Sequence, residues 1–468
     1  MSREAAIAGA LGALDGGAFR ADLERRVAMR TESQEPQGAP ILREYLTAEI
    51  GGTLGRLGFA CSIIENPKDG RGPLLLAQRH ESDAAPTVLI YGHGDVVRGQ
   101  DAQWRQGLAP WRITVEGERW YGRGIADNKG QHSINIAAIE QVMRARGGTL
   151  GFNAKLLLET GEEVGSPGLA EACAAHKDAL RADVLIASDG PRIAADKATI
   201  FLGARGAYNF ELRVGPRPRG YHSGNWGGVI ANPGTILAAA INSLVDGRGR
   251  LLVEALRPPP IPDAVRAALA EVTVGGGPDD PPLAEGWGEP GLTPAERLFG
   301  WNTLEVLAMQ CGNVDAPVGA IPPLARAVVQ LRYVVGTPAD RIVPILRDHL
   351  DRAGFAAVEV VPGRGEAAPA TRLDPRDKWV RFAVESIRRT LGHPPVVLPN
   401  IGGTLPNHVF AHILGLPTVW IPHSYAACAQ HAPDEHMLLP VIREGLQIMT
   451  GLFWDLGEAG GALLHARA

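Results

Sequence analysis

The sequence predicts an α/β fold: a mostly parallel sheet forms one domain, and a smaller α+β domain is inserted into it. Short apolar runs alternate with helical stretches up to about residue 203 and again after residue 369. Strands that alternate with helices usually form a parallel sheet covered on both faces. Between these regions the strands alternate apolar and polar residues, which is typical of half-buried antiparallel strands.

Apolar runs and helical periodicity give the element order. The first region has predicted strands at 87–91, 154–159 and 183–187, with helices over 129–146 and 167–176. The middle region has strands at 205–214 and 325–335 and helices after Pro233 and over 339–354. The last region adds helices over 377–391 and 438–456 and strands at 396–398 and 418–421. We therefore predict a discontinuous domain over 1–203 and 369–468, with the insertion at 204–368.

Composition excludes several classes of protein. A chain of 468 residues is too long for one compact core. The net charge of -5 gives no basic surplus for nucleic acid. We expect no membrane span, since no run of about 18 apolar residues occurs, and we interpret the apolar N-terminal segment as a helix. The cysteines lack CxxC spacing, which argues against disulfides and thiolate zinc sites and favours a cytoplasmic protein. They are Cys61, Cys173, Cys311 and Cys428.

Acidic and histidine residues follow several predicted strands. Ligands of open α/β sheets bind beyond the carboxyl ends of the strands. Carboxylate and imidazole groups at such an edge are suited to zinc. The segments are GHGDVV (92–97), GRGIADNKG (122–130), ETGEEVGSPG (159–168), ASDGP (187–191) and QHAPDEH (430–436).

The first two segments each offer one metal ligand. His93 lies two residues before Asp95, whose carboxylate can orient the imidazole of a metal ligand. A buried core histidine is the alternative interpretation of His93. The carboxylate of Asp127 can bridge two metal ions about 3.5–4 Å apart. Its alternative role is to cap the helix that follows.

The other three segments add ligands and a base. Glu162 and Glu163 are adjacent, so at a turn one can bind metal while the other acts as a general base. Two solvated surface acids are the alternative. Asp189 and His431 are suited to zinc ligation, and His436 competes with His431 because spacing alone does not separate them.

These motifs together resemble the two-zinc family of acetylornithine deacetylase, succinyl-diaminopimelate desuccinylase, aminoacylase and carnosinase. GHGDVV and WYGRGIADNKG resemble the first metal motifs of the family, ETGEEVGSPG its Glu-Glu motif, and YHSGNWGGVIANP (221–233) the start of its lid domain. The resemblance covers nearly the whole chain. It implies a catalytic domain of the zinc-exopeptidase type with a lid and dimerisation domain.

The resemblance also implies roles for single residues. It makes Glu162 the general base, and it gives Asp95 the role of orienting His93. His222 of a partner subunit would stabilise the oxyanion, and Arg332 would bind a substrate carboxylate. The residues that match the metal ligands, with Asp127 as the bridge, are His93, Asp127, Glu163, Asp189 and His431. The residues that match the substrate-binding loop are Gly402, Gly403 and Thr404.

Purely structural roles are the alternatives for the lid and loop residues. His222 could cap a loop, Arg332 could be a solvated residue on an edge strand, and 402–407 could simply open a helix. The loop continues as TLPNHVF, where we would expect a more apolar tail in a carnosinase-like enzyme, so Asn407 and His408 are candidates for contacting a different substrate.

We therefore predict a zinc-dependent hydrolase that cleaves a peptide or amide C–N bond beside a substrate carboxylate. Two zinc ions per chain are expected, and cobalt or manganese could replace them. Asp189 favours a dipeptidase, because many deacylases of the family have Glu there. The alternatives are an N-acyl amino acid deacylase or other amidohydrolase, and an inactive binding protein on the same fold. A homodimer acting on a small molecule is expected.

Overall fold

The computed structural model describes residues 2–35, 39–215, 217–277, 280–363 and 367–465. The chain divides into two compact units. Unit 1 comprises Met1–Gly203, Leu373–Leu398 and Leu405–Ala468, and unit 2 comprises Ala204–Arg372 and Pro399–Thr404. Pro399–Thr404 thus belongs to unit 2, although it lies between two segments of unit 1.

Unit 1 is built on an eight-stranded mixed sheet. Among the described residues, four of its seven neighbouring strand pairs are parallel, including those on both sides of Thr87–His93. The α/β prediction is therefore confirmed, and the antiparallel pairs lie toward the sides of the sheet. The strands, in spatial order, are Ala60–Ile64, Leu74–Arg79, Asn153–Glu159, Thr87–His93, Val184–Ala187, Thr418–Trp420, Thr199–Phe201 and Val396–Leu398.

Helices bury the central strands of this sheet. The strand Thr87–His93 is buried from Val88 onward, as expected for a parallel strand covered on both faces. Leu156 of the neighbouring strand and Ile139 and Leu446 of two helices belong to the same apolar core. The main helices of unit 1 are Arg3–Asp15, Ala18–Ala28, Lys129–Ala145, Leu169–Ala175, Lys378–Leu391 and Leu439–Ala459. This packing gives the loops at the strand ends a rigid base.

Unit 2 is an antiparallel sheet with helices on one face. Its strands, in spatial order, are Thr303–Cys311, Ala325–Tyr333, Gly206–Val214 and Val358–Pro362. Alternate residues of Ala325–Tyr333 are buried, as the period-two pattern predicts. The helices of unit 2 with seven or more residues in the described part are Pro233–Leu244, Asp263–Ala270, Pro294–Gly300 and Ile342–Arg352. Leu237 and Leu346 join the sheet in one core.

Two further observations bear on the composition arguments. Across the described ranges, no helix combines the length and apolar character needed to span a lipid bilayer. All four cysteines carry free thiols, and Cys173 and Cys428 are buried.

Candidate dinuclear metal site

The predicted acidic and histidine residues of unit 1 meet at one edge of its sheet. His93 ends its strand, Glu162 and Glu163 follow Asn153–Glu159 in a short turn, and Asp189 lies two residues beyond Val184–Ala187. These three strands are parallel neighbours, so their carboxyl ends share an edge. Asp127 precedes the helix that begins at Lys129 and reaches the same place.

One group of potential ligands is fully buried. His93 Nε2 lies 2.8 Å from Asp127 Oδ1 and 3.7 Å from Asp189 Oδ2. Asp189 Oδ2 is buried and has no hydrogen-bond partner among the described residues. An orphaned buried carboxylate oxygen is costly unless a cation binds it. The group His93, Asp127 and Asp189 therefore fits a metal ion.

A second group shares Asp127 with the first. His431 Nε2 lies 2.9 Å from Asp127 Oδ2 and 3.0 Å from Glu163 Oε2. Within each group the ligand atoms all lie within 4.8 Å of one another. Because Asp127 presents Oδ1 to one group and Oδ2 to the other, its carboxylate has the geometry of a bridge between two ions. The arrangement is a candidate dinuclear metal site.

The charges in this cluster favour cations. Burial raises the pKa of Glu163 to about 7, and nearby Asp127 adds to the effect. Burial likewise raises the pKa of Asp189 to about 6, and it raises that of Glu162 well above its usual range. Hydrogen bonds to Asp127 and Glu163 raise the pKa of His431 to about 10. A set of carboxylates that resists ionisation in this way would be stabilised by a divalent cation.

Asp95 connects the histidine ligand with the two glutamates. Its buried carboxylate accepts the backbone N–H groups of Glu162 and Glu163 at 3.2 and 3.1 Å. His93 Nδ1 lies 3.0 Å from the carbonyl oxygen of Asp95 and 3.5 Å from its Oδ1. Nε2 of His93 is thereby directed at the other ligands, and the glutamate turn is fixed at the same time.

Sequence reasoning missed Glu435. Its buried carboxylate accepts hydrogen bonds from Arg123 Nη1 at 2.8 Å, Gly124 N at 3.0 Å, Ala126 N at 2.9 Å and Asp127 N at 3.1 Å. The loop that carries Asp127 is therefore built around one carboxylate. The signal for Glu435 lies in QHAPDEH, because an acid directly before an apolar strand needs hydrogen-bond partners.

The structure separates the two histidines of that segment. His431 lies in the second ligand group. Its φ of 63° is positive, which is uncommon for residues other than glycine. His436 begins the strand His436–Leu438, packs beside Tyr121 and Tyr425, and belongs to neither group. His431, rather than His436, is therefore placed to bind metal.

Unit 2 carries the other predicted site residues except Asn407. Arg332 Nη1 donates to Thr404 Oγ1 at 2.8 Å, so the predicted arginine and the glycine-rich loop are in contact. Gly402 and Gly403 precede Thr404, and a side-chain atom added at Gly403 would meet no heavy atom within 4 Å. His222 is exposed, and its Nδ1 accepts the backbone N–H of Gly224 at 3.1 Å.

Asn407 belongs to the interior of unit 1. Its side chain is fully buried, its Oδ1 accepts the indole N–H of Trp420 at 2.7 Å, and its Nδ2 donates to Thr418 Oγ1 at 3.2 Å. A buried indole N–H needs an acceptor, which gives this amide a packing role. We therefore leave Asn407 out of the site proposed below.

Known proteins of similar sequence and fold include dipeptidases and a carboxypeptidase. A 249-residue region, half of this chain and half of the relative, is 33% identical to a mouse Beta-Ala-His dipeptidase. A 357-residue region, 74% of this chain and 75% of the relative, is 27% identical to a Cysteinylglycine-S-conjugate dipeptidase of Corynebacterium striatum. An M20 family metallo-carboxypeptidase of Sulfolobus solfataricus has the same fold, with a TM-score of 0.75 at 24% identity over 94% of this chain and 99% of that one. Residues 89–455 match the sequence pattern of Peptidase family M20/M25/M40, and the chain belongs to that family.

Proposed function

We propose that this protein is a metal-dependent dipeptidase that cleaves the peptide bond next to a free substrate carboxylate. The observation that carries the proposal is the position of Asp127, whose two oxygens face two separate ligand groups. Two divalent ions held there would activate a water molecule and polarise the scissile carbonyl group. The nitrogen and oxygen ligands are suited to zinc, and also to cobalt or manganese.

The ligands divide into two sets in this proposal. His93 and Asp189 would hold one ion, Glu163 and His431 would hold the other, and Asp127 would serve both. The distances of 2.8 to 3.7 Å between these ligand atoms support the division. The ligands carry negative charge that two dications would compensate.

Glu162 is the proposed general base. It belongs to neither ligand group among the described residues, yet Asp95 fixes its backbone beside that of Glu163. A carboxylate held near the ligands without binding metal can take a proton from the attacking water and return it to the leaving amine. Its raised pKa, caused by burial, makes it a good proton acceptor.

His222 is proposed to donate a hydrogen bond to the developing oxyanion. Because its Nδ1 accepts the N–H of Gly224, the neutral ring carries its proton on Nε2, and that N–H can donate. Arg332, with the loop of Gly402, Gly403 and Thr404, is proposed to bind the substrate carboxylate. A guanidinium fork is suited to a carboxylate, and Arg332 forms no ion pair in the described part of the chain.

We further propose a homodimer formed through unit 2, in which His222 completes the site of the partner subunit. Unit 2 exposes an edge strand, Thr303–Cys311, with apolar side chains on it, and such surfaces usually mark protein interfaces. Exposed large apolar residues of unit 2, on this strand and on other segments, include Trp226, Val229, Val306, Leu307, Met309, Val314, Val318 and Val328.

Complementation tests the dimer. A His222→Ala chain and a Glu162→Gln chain should each be inactive alone. Mixed under conditions of subunit exchange, they should regain activity, because one site of the heterodimer keeps both residues. Exchange without recovery would assign His222 to its own chain or remove it from the mechanism.

The substrate class is tested with a panel of dipeptides and N-acyl amino acids, with zinc, manganese or cobalt added. The names of the relatives, both dipeptidases, support cleavage of dipeptides. We expect dipeptides with a free carboxyl terminus to be hydrolysed fastest. Faster turnover of N-acyl amino acids would replace the dipeptidase proposal with a deacylase. The free thiols support a reducing, cytoplasmic location, which fractionation of the native host would check.

A further inference from the structure

Arg205 is a buried cation that forms no ion pair with any residue the structure describes. It directly precedes the strand Gly206–Val214 of unit 2, and only 4% of its surface is exposed. Its Nη2 donates to the carbonyl oxygens of Trp301 and Arg332, both at 3.2 Å, and to Thr303 Oγ1 at 3.1 Å. Its Nε is buried and has no partner in the described ranges. All of these acceptors are neutral.

The other buried arginines show that this is unusual for the protein. Four of the five arginines classed as buried in the described ranges form ion pairs with a carboxylate, at distances from 2.5 to 3.2 Å. Removing a charge from water is costly unless an opposite charge compensates it. The four pairs are Arg3 with Asp455, Arg26 with Glu49, Arg123 with Glu435, and Arg192 with Glu444. Arg205 alone among the five lacks such a partner.

A second cation shares the surroundings of Arg205. Arg205 donates to the backbone oxygen of Arg332, Arg332 donates to Thr404 Oγ1, and Thr404 Oγ1 donates to the backbone oxygen of Arg205 at 3.2 Å. Burial lowers the pKa of Arg205 to about 10, the charge of Arg332 lowers it further, and the carboxylate of Glu305 opposes this shift. The two arginines therefore share one hydrogen-bonded network through Thr404 and their own backbones, and neither guanidinium forms an ion pair in the part of the chain that the structure describes.

We propose that Arg205 is a positioning residue of the substrate-carboxylate subsite, where its guanidinium holds the backbone of Arg332 in place and supplies a second positive charge. The inference rests on the proposed function, in which Arg332 binds that carboxylate. An anionic ligand would give these two cations an ion pair, which they lack among the described residues. The subsite is then specific for substrates whose leaving amino acid carries a free carboxylate, and it disfavours the same substrates with a neutral terminus.

The test compares one dipeptide with its C-terminal amide. Arg205→Met keeps an unbranched stem of similar length and removes the charged guanidinium. We expect kcat/KM for the free acid to fall about tenfold more than kcat/KM for the amide, mainly through KM, because hydrogen bonds and charge at a carboxylate are lost. Arg213→Met is the matched control, since Arg213 lies on the strand that Arg205 precedes but is partly exposed and pairs with Glu211. The control should leave the acid-to-amide ratio unchanged.

An equal loss for acid and amide would show that Arg205 only supports the fold, and it would overturn the inference. If Arg205→Met does not fold, Arg205→Lys replaces it, since lysine keeps the charge but loses the fork that contacts Trp301, Thr303 and Arg332. A loss that is about threefold larger for the acid is then expected, and an equal loss again overturns the inference. If the wild-type protein with metal cleaves neither substrate, the dipeptidase proposal fails instead.

Discussion

Glu435 offers a strong test of how the metal site is held. Its Oε2 accepts from Arg123 and Gly124, and its Oε1 accepts from Ala126 and Asp127. In Glu435→Gln an NH2 group replaces one of these oxygens. The two N–H groups that donated to this oxygen then face another donor and lose their acceptor. Hydrogen bonds to a charged group contribute ~1.5–3 kcal/mol each, so the substitution should cost ~3–6 kcal/mol of local stabilisation.

Part of this cost should appear in metal binding. Asp127, the proposed bridging ligand, is positioned through its backbone N–H, which donates to Glu435 at 3.1 Å. Changes to groups that orient ligands typically lower metal affinity by about 10–100-fold. Competition between the protein and a chelator of known affinity measures this quantity directly. We expect Glu435→Gln to weaken binding of both ions by a factor in that range, since Asp127 serves both groups.

Asp455→Asn is the matched control for Glu435→Gln. Asp455 is also a buried carboxylate that pairs with a buried arginine, Arg3, at 2.9 Å, and its side-chain partners among the described residues include Arg3, Ser386 and Arg389, none of them in a metal-site loop. Breaking this pair should lower thermal stability by a comparable amount and leave metal affinity unchanged. Equal metal affinity for wild type and Glu435→Gln, or equal losses in both variants, would refute the assignment of Glu435 to the metal loop.

Three further outcomes are expected. Glu162→Gln should keep two metal ions per chain by elemental analysis and lose turnover by a factor of about 10²–10⁴, while Glu163→Gln should lose metal; the reverse pattern would exchange their roles. Metal binding should release more protons at pH 6 than at pH 8 in calorimetry, because Glu163 and Asp189 hold protons in the metal-free protein up to about pH 7 and 6. Burial keeps the pKa of His423 well below its usual value, so the free energy of unfolding should fall as the pH drops below about 6.5. In denaturant titrations, His423→Leu should reduce this fall in the free energy of unfolding at pH 5.5 by ~1.4 kcal/mol. If the free energy of unfolding of His423→Leu fell below pH 6.5 as steeply as that of the wild type, His423 would not be the cause of the acid destabilisation.

The sequence allowed the metal ligands to be predicted because they are tied to strand ends. His93 and Asp189 follow apolar strands that any periodicity analysis finds, and parallel pairing brings these ends together. The family membership that the motifs indicated is confirmed. Roles of single residues remain predictions, although the geometry places all five proposed ligands in two groups.

Other features were out of reach because their partners are distant in the chain. Glu435 holds the N–H of a residue 308 positions earlier, and no local pattern records such a contact. Asn407 looked like a polar loop residue, yet the indole of Trp420 and the hydroxyl of Thr418 take up its amide. The strand Thr303–Cys311 was missed because Val306, Leu307 and Met309 on it are all exposed, which hides the alternation expected of a half-buried strand.

Uncompensated charge of both signs connects the two proposals. In unit 1, several carboxylates lie beside two histidines, and burial together with repulsion from Asp127 raises the pKa of Glu163 to about 7. In unit 2, Arg205 and Arg332 share one hydrogen-bonded network and form no ion pair in the described residues, while the other buried arginines have one. Each unit therefore contains a charge that a ligand of opposite sign would stabilise. Divalent cations would balance the first and a substrate carboxylate the second, and these are the two ligands that hydrolysis of a free dipeptide requires.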